Sequence, residues 1–439
     1  MRFLLALLAA GGLMAQERGP LPLSLKRAVE IAVAPEGSTA IQLSTEALKQ
    51  AQARTNEARA ALLPDLESSF GYENQTRNLE AMGIHFAIPI PGFQFPTLVG
   101  PFNTMDARVS GTQSIFDLSS IRRFQASKVG VSAAKSDLDR SAEQVAAAVA
   151  RVYMAAVRAD TDVDTAEANV KLSEAVQKQA EDQKRAGTGT GIEITRARVQ
   201  LANDQQRLLI AQNARRSAHL QLLRAMGLRL NTEVVLTDRL QYAPVDAVTL
   251  EQARAQALKD RPDYQAQQER EANARLSASA TKWERLPSVA AFADYGSIGT
   301  GINNSLPTRT YGVSLRVPLF DGGRRDARRV ETASQYRAEK VKTNDLKEQI
   351  ELDVRLALDA LSSAQEEVDV ARNGLNLAEN ELAQARRRYE AGVSDSLEVT
   401  DAQTRLERAR DNQTSALYGY NVARIDLAQA MGQVRSLVQ

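Results

Sequence analysis

The chain carries one pattern twice, and this restricts its fold more than any other feature. Ala61-Leu62-Leu63-Pro64-Asp65-Leu66 is matched by Glu284-Arg285-Leu286-Pro287-Ser288-Val289, and Val109-Ser110 through Ile115-Phe116-Asp117 by Val313-Ser314 through Leu319-Phe320-Asp321. Arg185-Ala186-Gly187, followed by Ile192-Glu193-Ile194-Thr195, is matched by Glu390-Ala391-Gly392, followed by Leu397-Glu398-Val399-Thr400. Ala225-Met226-Gly227 is matched by Ala430-Met431-Gly432. Phe116 to Phe320 is an offset of 204; Gly187 to Gly392 and Gly227 to Gly432 are offsets of 205. Four matches in one order, three of them at near-constant spacing, indicate a duplicated structural unit.

Each half reads the same way. A helix over residues 24–62, and again over 249–285, stops at a Leu-Pro step because the residue before proline is driven out of the helical region. Two strands follow, about 65–74 and 107–116 in the first half and about 288–296 and 310–319 in the second. A very long helix comes next (about 120–184; about 324–389), then a glycine-containing turn and a final helix to Met226 or Met431. The chain thus divides into a leader at 1–15, a first repeat at 16–231, a linker at 232–248 holding Pro244, and a second repeat at 249–439. Residues 141–159 are alanine-rich without Gly or Pro, and 346–385 contain a single glycine, so helix cost is low there. About 65 residues at ~1.5 Å each make a rod of roughly 100 Å. Leu346, Ile350, Val354, Leu358 and Leu361 recur at spacings of three and four, the seam by which such a rod finds partners.

The strands alternate. Tyr311, Val313, Leu315, Val317 and Leu319 face one side; Gly312, Ser314, Arg316 and Pro318 face the other. Leu66, Phe70 and Tyr72 oppose Glu67, Ser69, Gly71 and Glu73, and Ala107, Val109 and Ile115 oppose Arg108, Ser110, Thr112 and Ser114. Val289, Ala291, Ala293 and Tyr295 form a weaker case, with Phe292 on the polar side. That period suits a soluble sheet with one wet face or a membrane β-barrel. Met1-Arg2-Phe3, an all-Leu/Ala run and Ala15 read as an export signal, too short to span a bilayer. Export favours the barrel. Four strands cannot close one, and an open edge is not tolerated in lipid, so several copies must share it. The loop from 74 to 105 reads as a surface-packed or disordered insertion, and the loop 297–309 as a shorter hairpin connection, both facing outside the cell.

Composition excludes other classes. Lys plus Arg number 55 against 54 Asp plus Glu, which argues against a surface that neutralises nucleic-acid phosphates. With no cysteine there is no thiol nucleophile, disulfide or thiolate metal site. Two histidines, His85 and His219, have no evident metal or nucleophile partner, and Gly187-Thr188-Gly189-Thr190-Gly191 lacks the Lys-Ser/Thr of a phosphate loop. The chain reads as a non-enzyme without metal or cofactor. Trp283 suits a membrane interface or ordinary packing.

Two segments carry a family resemblance. Val317-Pro318-Leu319-Phe320-Asp321-Gly322-Gly323-Arg324-Arg325, and Tyr389-Glu390-Ala391-Gly392 with Leu397-Glu398-Val399-Thr400-Asp401-Ala402, resemble the outer-membrane efflux protein (TolC-like) family. The resemblance implies a mostly α fold in which four strands per chain join a trimeric, twelve-stranded transmembrane barrel continued by an α-helical tunnel. It implies the outer membrane of a diderm bacterium, with the helical portion in the periplasm. It also implies a passive exit duct of a tripartite efflux or type I secretion system, docked through a periplasmic adaptor to an inner-membrane transporter. Pro318, Phe320, Asp321, Gly322 and Gly323 would be the strand-to-helix junction; Ser114 to Ser119 departs from it, lacking the proline and paired glycines. Family tunnels narrow at acidic side chains on the final helix, and by position these are Glu398 and Asp401, at i and i+3 on one face. Three copies would gather like charges into a gate; the plainer reading is that acids favour a helix N-terminus. In the first half Glu193 and Arg196 take these positions, Arg196 expected to pair with an acid on a neighbouring helix. Ala186, Gly187, Ala391 and Gly392 would form hairpin tips that meet the adaptor. The competing reading is a soluble periplasmic coiled-coil adaptor or scaffold whose strand pairs form a small sheet.

Overall fold

The computed structural model describes residues 21–84, 96–245, 248–394 and 396–438. The expected export signal, and His85 with the middle of the 74–105 loop, lie outside them. The chain divides into two compact units, one of Met1–Thr45, Leu138–Pro262 and Lys347–Gln439, the other of Glu46–Asp137 and Asp263–Leu346.

The first unit is helical. Helices α3 (Leu118–Arg185, 68 residues) and α7 (Arg324–Glu390, 67 residues) contribute their C-terminal parts, and each turns back into a return helix, α4 (Gly191–Ala225) and α8 (Ser396–Met431). On α7, Ala378, Leu382, Ala385 and Tyr389 bury against Val399, Ala402 and Leu406 of α8. The seam continues through Ala364 and Val368 against Ala416, Tyr420 and Ala423. These positions recur every three or four residues, and their alanines let two helix axes approach closely. Elsewhere Ala146, Ala147, Val149, Ala150 and Tyr153 of α3 pack on Ala28, Val29 and Ala32 of α1 (Leu25–Val33) and Leu222, Leu223 and Met226 of the α4 end. The buried Tyr153 hydroxyl donates to the Leu23 carbonyl at 2.8 Å, and burial raises its pKa, so it remains a donor.

Two expected helices are each two. Residues 24–62 split into α1 and α2 (Thr39–Ala60), and 249–285 into α5 (Leu250–Asp260) and α6 (Pro262–Trp283). Ala34 and Arg261 are extended, with ψ of 152° and 116°, because Pro35 and Pro262 follow them. The same thing fills both breaks. Gly227 ends α4 at φ 74°, and a Cβ there would lie 2.7 Å from the Gly37 carbonyl oxygen; Gly432 follows α8 at φ 74°, with a Cβ position 2.8 Å from Arg261 Cα. Each return helix therefore ends in a left-handed glycine wedged against the broken opening helix of its own half. Within the 232–248 segment, β4 (Val234–Leu236) pairs in parallel with β1 (Leu21–Leu23).

The second unit holds one antiparallel sheet in the order β2-β3-β5-β6. The strands are β2 (Asp65–Asn78), β3 (Leu98–Phe116), β5 (Ser288–Gly299) and β6 (Ser305–Arg316). All four run further into the hairpins than expected, because Leu98, Val99 and Phe102 to Met105 pair with residues between Tyr72 and Asn78, and Ser305 to Arg309 pair with Tyr295 to Gly299. A 3-10 turn, Ile302–Asn304, closes the second hairpin. β6 stops at Arg316 rather than 319: its partner begins at Ser288, and Pro318 has no N–H to extend the ladder. A register shift between Ser114 and Phe116 leaves Ile115 as a bulge.

Residues paired across antiparallel strands share a face. One face carries Leu66, Phe70, Val109, Tyr295, Tyr311, Val313 and Leu315; the other carries Glu67, Ser69, Arg108, Ser110, Asp294, Thr310 and Ser314. The apolar face packs on no core: Phe70 is 69% exposed, Tyr311 79% and Val313 66%. Phe292, on the polar face, lies over Gly312, where a Cβ would come within 2.8 Å of the ring.

Candidate functional site at the helical hairpin tips

Both hairpins of the helical unit turn on a left-handed glycine, Gly187 at φ 77° and Gly392 at φ 70°. Thr188 N–H reaches the Gln183 carbonyl at 3.0 Å and Val393 N–H the Arg388 carbonyl at 2.9 Å, the long-range bond that closes a Schellman turn. Ala186, Gly187, Ala391 and Gly392 are all exposed, and Val393 is 70% exposed beside them.

Behind the tips, the Tyr389 ring is buried in the α7–α8 seam and its hydroxyl bonds the Gln183 side chain of α3. Burial, and then the charge of Glu193, raise its pKa. In the first turn of α8, Val399 and Ala402 face the seam, which turns Glu398 and Asp401 away from it. Arg388 Nε lies 3.4 Å from Glu398 Oε1, while Asp401 is exposed and meets no cation among the described residues. In the first turn of α4, Glu193 Oε2 accepts the Thr190 N–H at 2.7 Å, so its carboxylate caps its own helix. Arg196 is exposed and meets no acid within the chain among the described residues; Arg198, two residues on, reaches Glu181 of α3 at 3.0 Å.

The strand-to-helix junction belongs to the other unit. After Pro318, Phe320 is 89% exposed, and Gly322 and Gly323 are left-handed at φ 68° and 85°. Asp321 then accepts the Arg325 N–H at 3.2 Å and opens α7. In the first half no such loop exists. Asp117 follows β3 directly and its carboxylate accepts the Ser119 and Ser120 N–H groups at 2.9 and 3.3 Å and both hydroxyls at 2.8 and 2.6 Å. The aspartate is the shared part of the two junctions.

Sequence reasoning missed two polar centres. Asp204 on α4 is only 1% exposed; it accepts from the Ser173 hydroxyl of α3, from Gln200 Nε2 at 3.1 Å and from Arg207 Nη1 at 3.4 Å. The same guanidinium also pairs with Glu407 of α8, tying three helices together. Burial, and then the Asp204 charge, raise the Glu407 pKa. The only local hint was an Asp-x-x-Arg spacing, which occurs on many solvated helix faces. His219 Nε2 lies 2.9 Å from Asp160 Oδ1 on α3, a partner 59 residues away that no local pattern announces.

The model of the family described as outer membrane efflux protein matches residues 33–228 and 253–433. The chain belongs to the outer membrane efflux protein family. It is accordingly an outer-membrane duct of efflux or secretion, with its helical portion in the periplasm, and not an enzyme. It is 25% identical over 92% of its length to the pyoverdine export outer membrane protein OpmQ of Pseudomonas putida, covering 84% of that protein. It is 23% identical over 73% of its length to the alkaline protease secretion protein AprF of Pseudomonas aeruginosa, covering 68% of it. The fold matches the Campylobacter jejuni CmeC outer membrane channel at a TM-score of 0.79 and 16% identity, over 93% of this chain and 85% of that one. It matches the Vibrio cholerae outer membrane protein VceC at 0.75 and 17% identity, over 93% and 96%. Membership in the efflux family sets aside the soluble adaptor or scaffold.

Proposed function

We propose that three copies of this chain close a twelve-stranded barrel in the outer membrane and a helical tunnel below it. The tunnel is a passive exit for what an inner-membrane transporter delivers through a periplasmic adaptor. The carrying observation is a sheet with, among the described residues, one bare apolar face and two open edges, β2 and β6. In lipid those edges need partners, and only further copies supply strands of matching length and polarity. The polar face then lines the bore and the apolar face meets acyl chains. Glu398 and Asp401, three times over, form the acidic ring at the inner aperture. Arg388 neutralises part of it, and the exposed tips at Ala186-Gly187 and Ala391-Gly392 receive the adaptor. What leaves is chosen upstream; the relatives are named for pyoverdine in one case and alkaline protease in the other.

The absence of cysteine gives a direct test. Ser69→Cys on β2 and a scan of cysteines along β6 around Thr310 place thiols on the two edges. Within one chain β3 and β5 separate these edges by about 14 Å at ~4.8 Å per strand, too far for a disulfide. Trimers on non-reducing gels, at one register of the scan and not others, are expected. Monomers at every register would refute the shared barrel.

A further inference from the structure

We propose that Arg108, clamped between Asp106 and Asp294 on the bore-facing side of the sheet, sets the ion preference of the barrel. The inference rests on the shared-barrel reading, in which that face lines the bore. Asp106 and Arg108 are two residues apart on β3 and share a face. Asp294 joins them from β5, beside Gly296, which stands directly opposite Arg108. Arg108 Nε lies 3.0 Å from Asp106 Oδ1 and Nη2 2.7 Å from Oδ2, a two-pronged contact, while Nη1 lies 3.3 Å from Asp294 Oδ1.

The neighbours across the sheet make room for the cluster. A Cβ on Gly296 would fall 2.5 Å from Arg108 Cβ, and Gly71 stands opposite Asp106. The three side chains are 32%, 32% and 19% exposed, so they stay in contact with water. An ion pair this wet adds little stability. Its charge, by contrast, acts directly on ions passing a confined polar wall. The cluster carries one net negative charge per copy. Asp65, Glu67 and Glu73 on the same face add to it and Arg316 subtracts, so the face is acidic and Arg108 is the cation that offsets the acids at its middle.

The test is the reversal potential of the full chain in planar bilayers under a KCl gradient. Every protein compared carries Glu398→Ala and Asp401→Ala, so that the tip does not mask the barrel. Arg108→Gln is expected to raise the cation-over-anion permeability ratio by about twofold or more, because both aspartates lose their counter-charge. Asp106→Asn with Asp294→Asn is expected to shift it toward anions, and Arg108→Lys to leave it near the parent value. Opposite shifts from the two charge changes support the proposal. Unchanged selectivity in both, with only a loss of thermal stability, would reduce the cluster to a structural brace and overturn it. If Arg108→Gln fails to assemble, the double asparagine variant and Arg108→Lys decide by the same criteria. A parent protein that forms no channel refutes the barrel itself, a different failure from a channel whose selectivity ignores these residues.

Discussion

Replacing a glycine held near φ +70° costs an amount that depends on what its missing Cβ would meet. Gly392 and Gly432 share the dihedral, yet nothing lies within 4 Å of a Cβ on Gly392, whereas one on Gly432 would strike the Arg261 backbone. Gly392→Ala is therefore expected to cost about 1 kcal/mol and Gly432→Ala at least twice that, read as a larger fall in the urea midpoint of the detergent-solubilised protein. Asp117 and Asp321 form a similar pair. Each opens a long helix, but the first carboxylate accepts four hydrogen bonds from Ser119 and Ser120 and the second one backbone N–H. Asp117→Ala should cost more than Asp321→Ala, each within about 0.5–2 kcal/mol, by the same midpoint. The glycines and aspartates were legible in the sequence because turns and caps are local chemistry. The close approach of Gly432 was not, since its contact lies 171 positions away along the chain.

At the level of elements, the repeat and the strand alternation already gave the order of helices and strands. The broken opening helices were equally open to inspection: Pro35 and Pro262 obey the rule that places a stop before Pro64 and Pro287. The alanine and leucine seam of α7 and α8 was readable from its spacing; the Asp204–Arg207–Glu407 tie was not, because polar residues at helical spacing occur on every solvated face. That tie has a pH signature. The folded Glu407 pKa is raised, so the native chain binds this proton more tightly than the unfolded one. The stability contributed by the group therefore grows as pH falls through the folded pKa. The difference in melting temperature between the parent and Glu407→Gln should move in favour of the parent on acidification from neutral pH. A flat difference would mean the carboxyl is not shifted. At the tips, Glu398→Ala with Asp401→Ala should raise closed-state conductance and weaken cation preference in planar bilayers. No change in either would leave Glu398 and Asp401 as helix-start acids only.

For the whole molecule, the informative surface is the one that packs on nothing. Rows of Phe70, Tyr311 and Val313 on one side and Ser69, Arg108 and Thr310 on the other make each chain one sector of a wall. Alternation along a strand revealed the two faces; which edges stay open needed the strand order. If a working pore exists only after β2 of one copy meets β6 of the next, three times around, supply and output cannot be proportional. Where chains are scarce, pore number should fall far more steeply than chain number. Halving expression from a titratable promoter should then cut export well below one half, and a strictly linear dose response would mean that each copy arrives already joined to its neighbours.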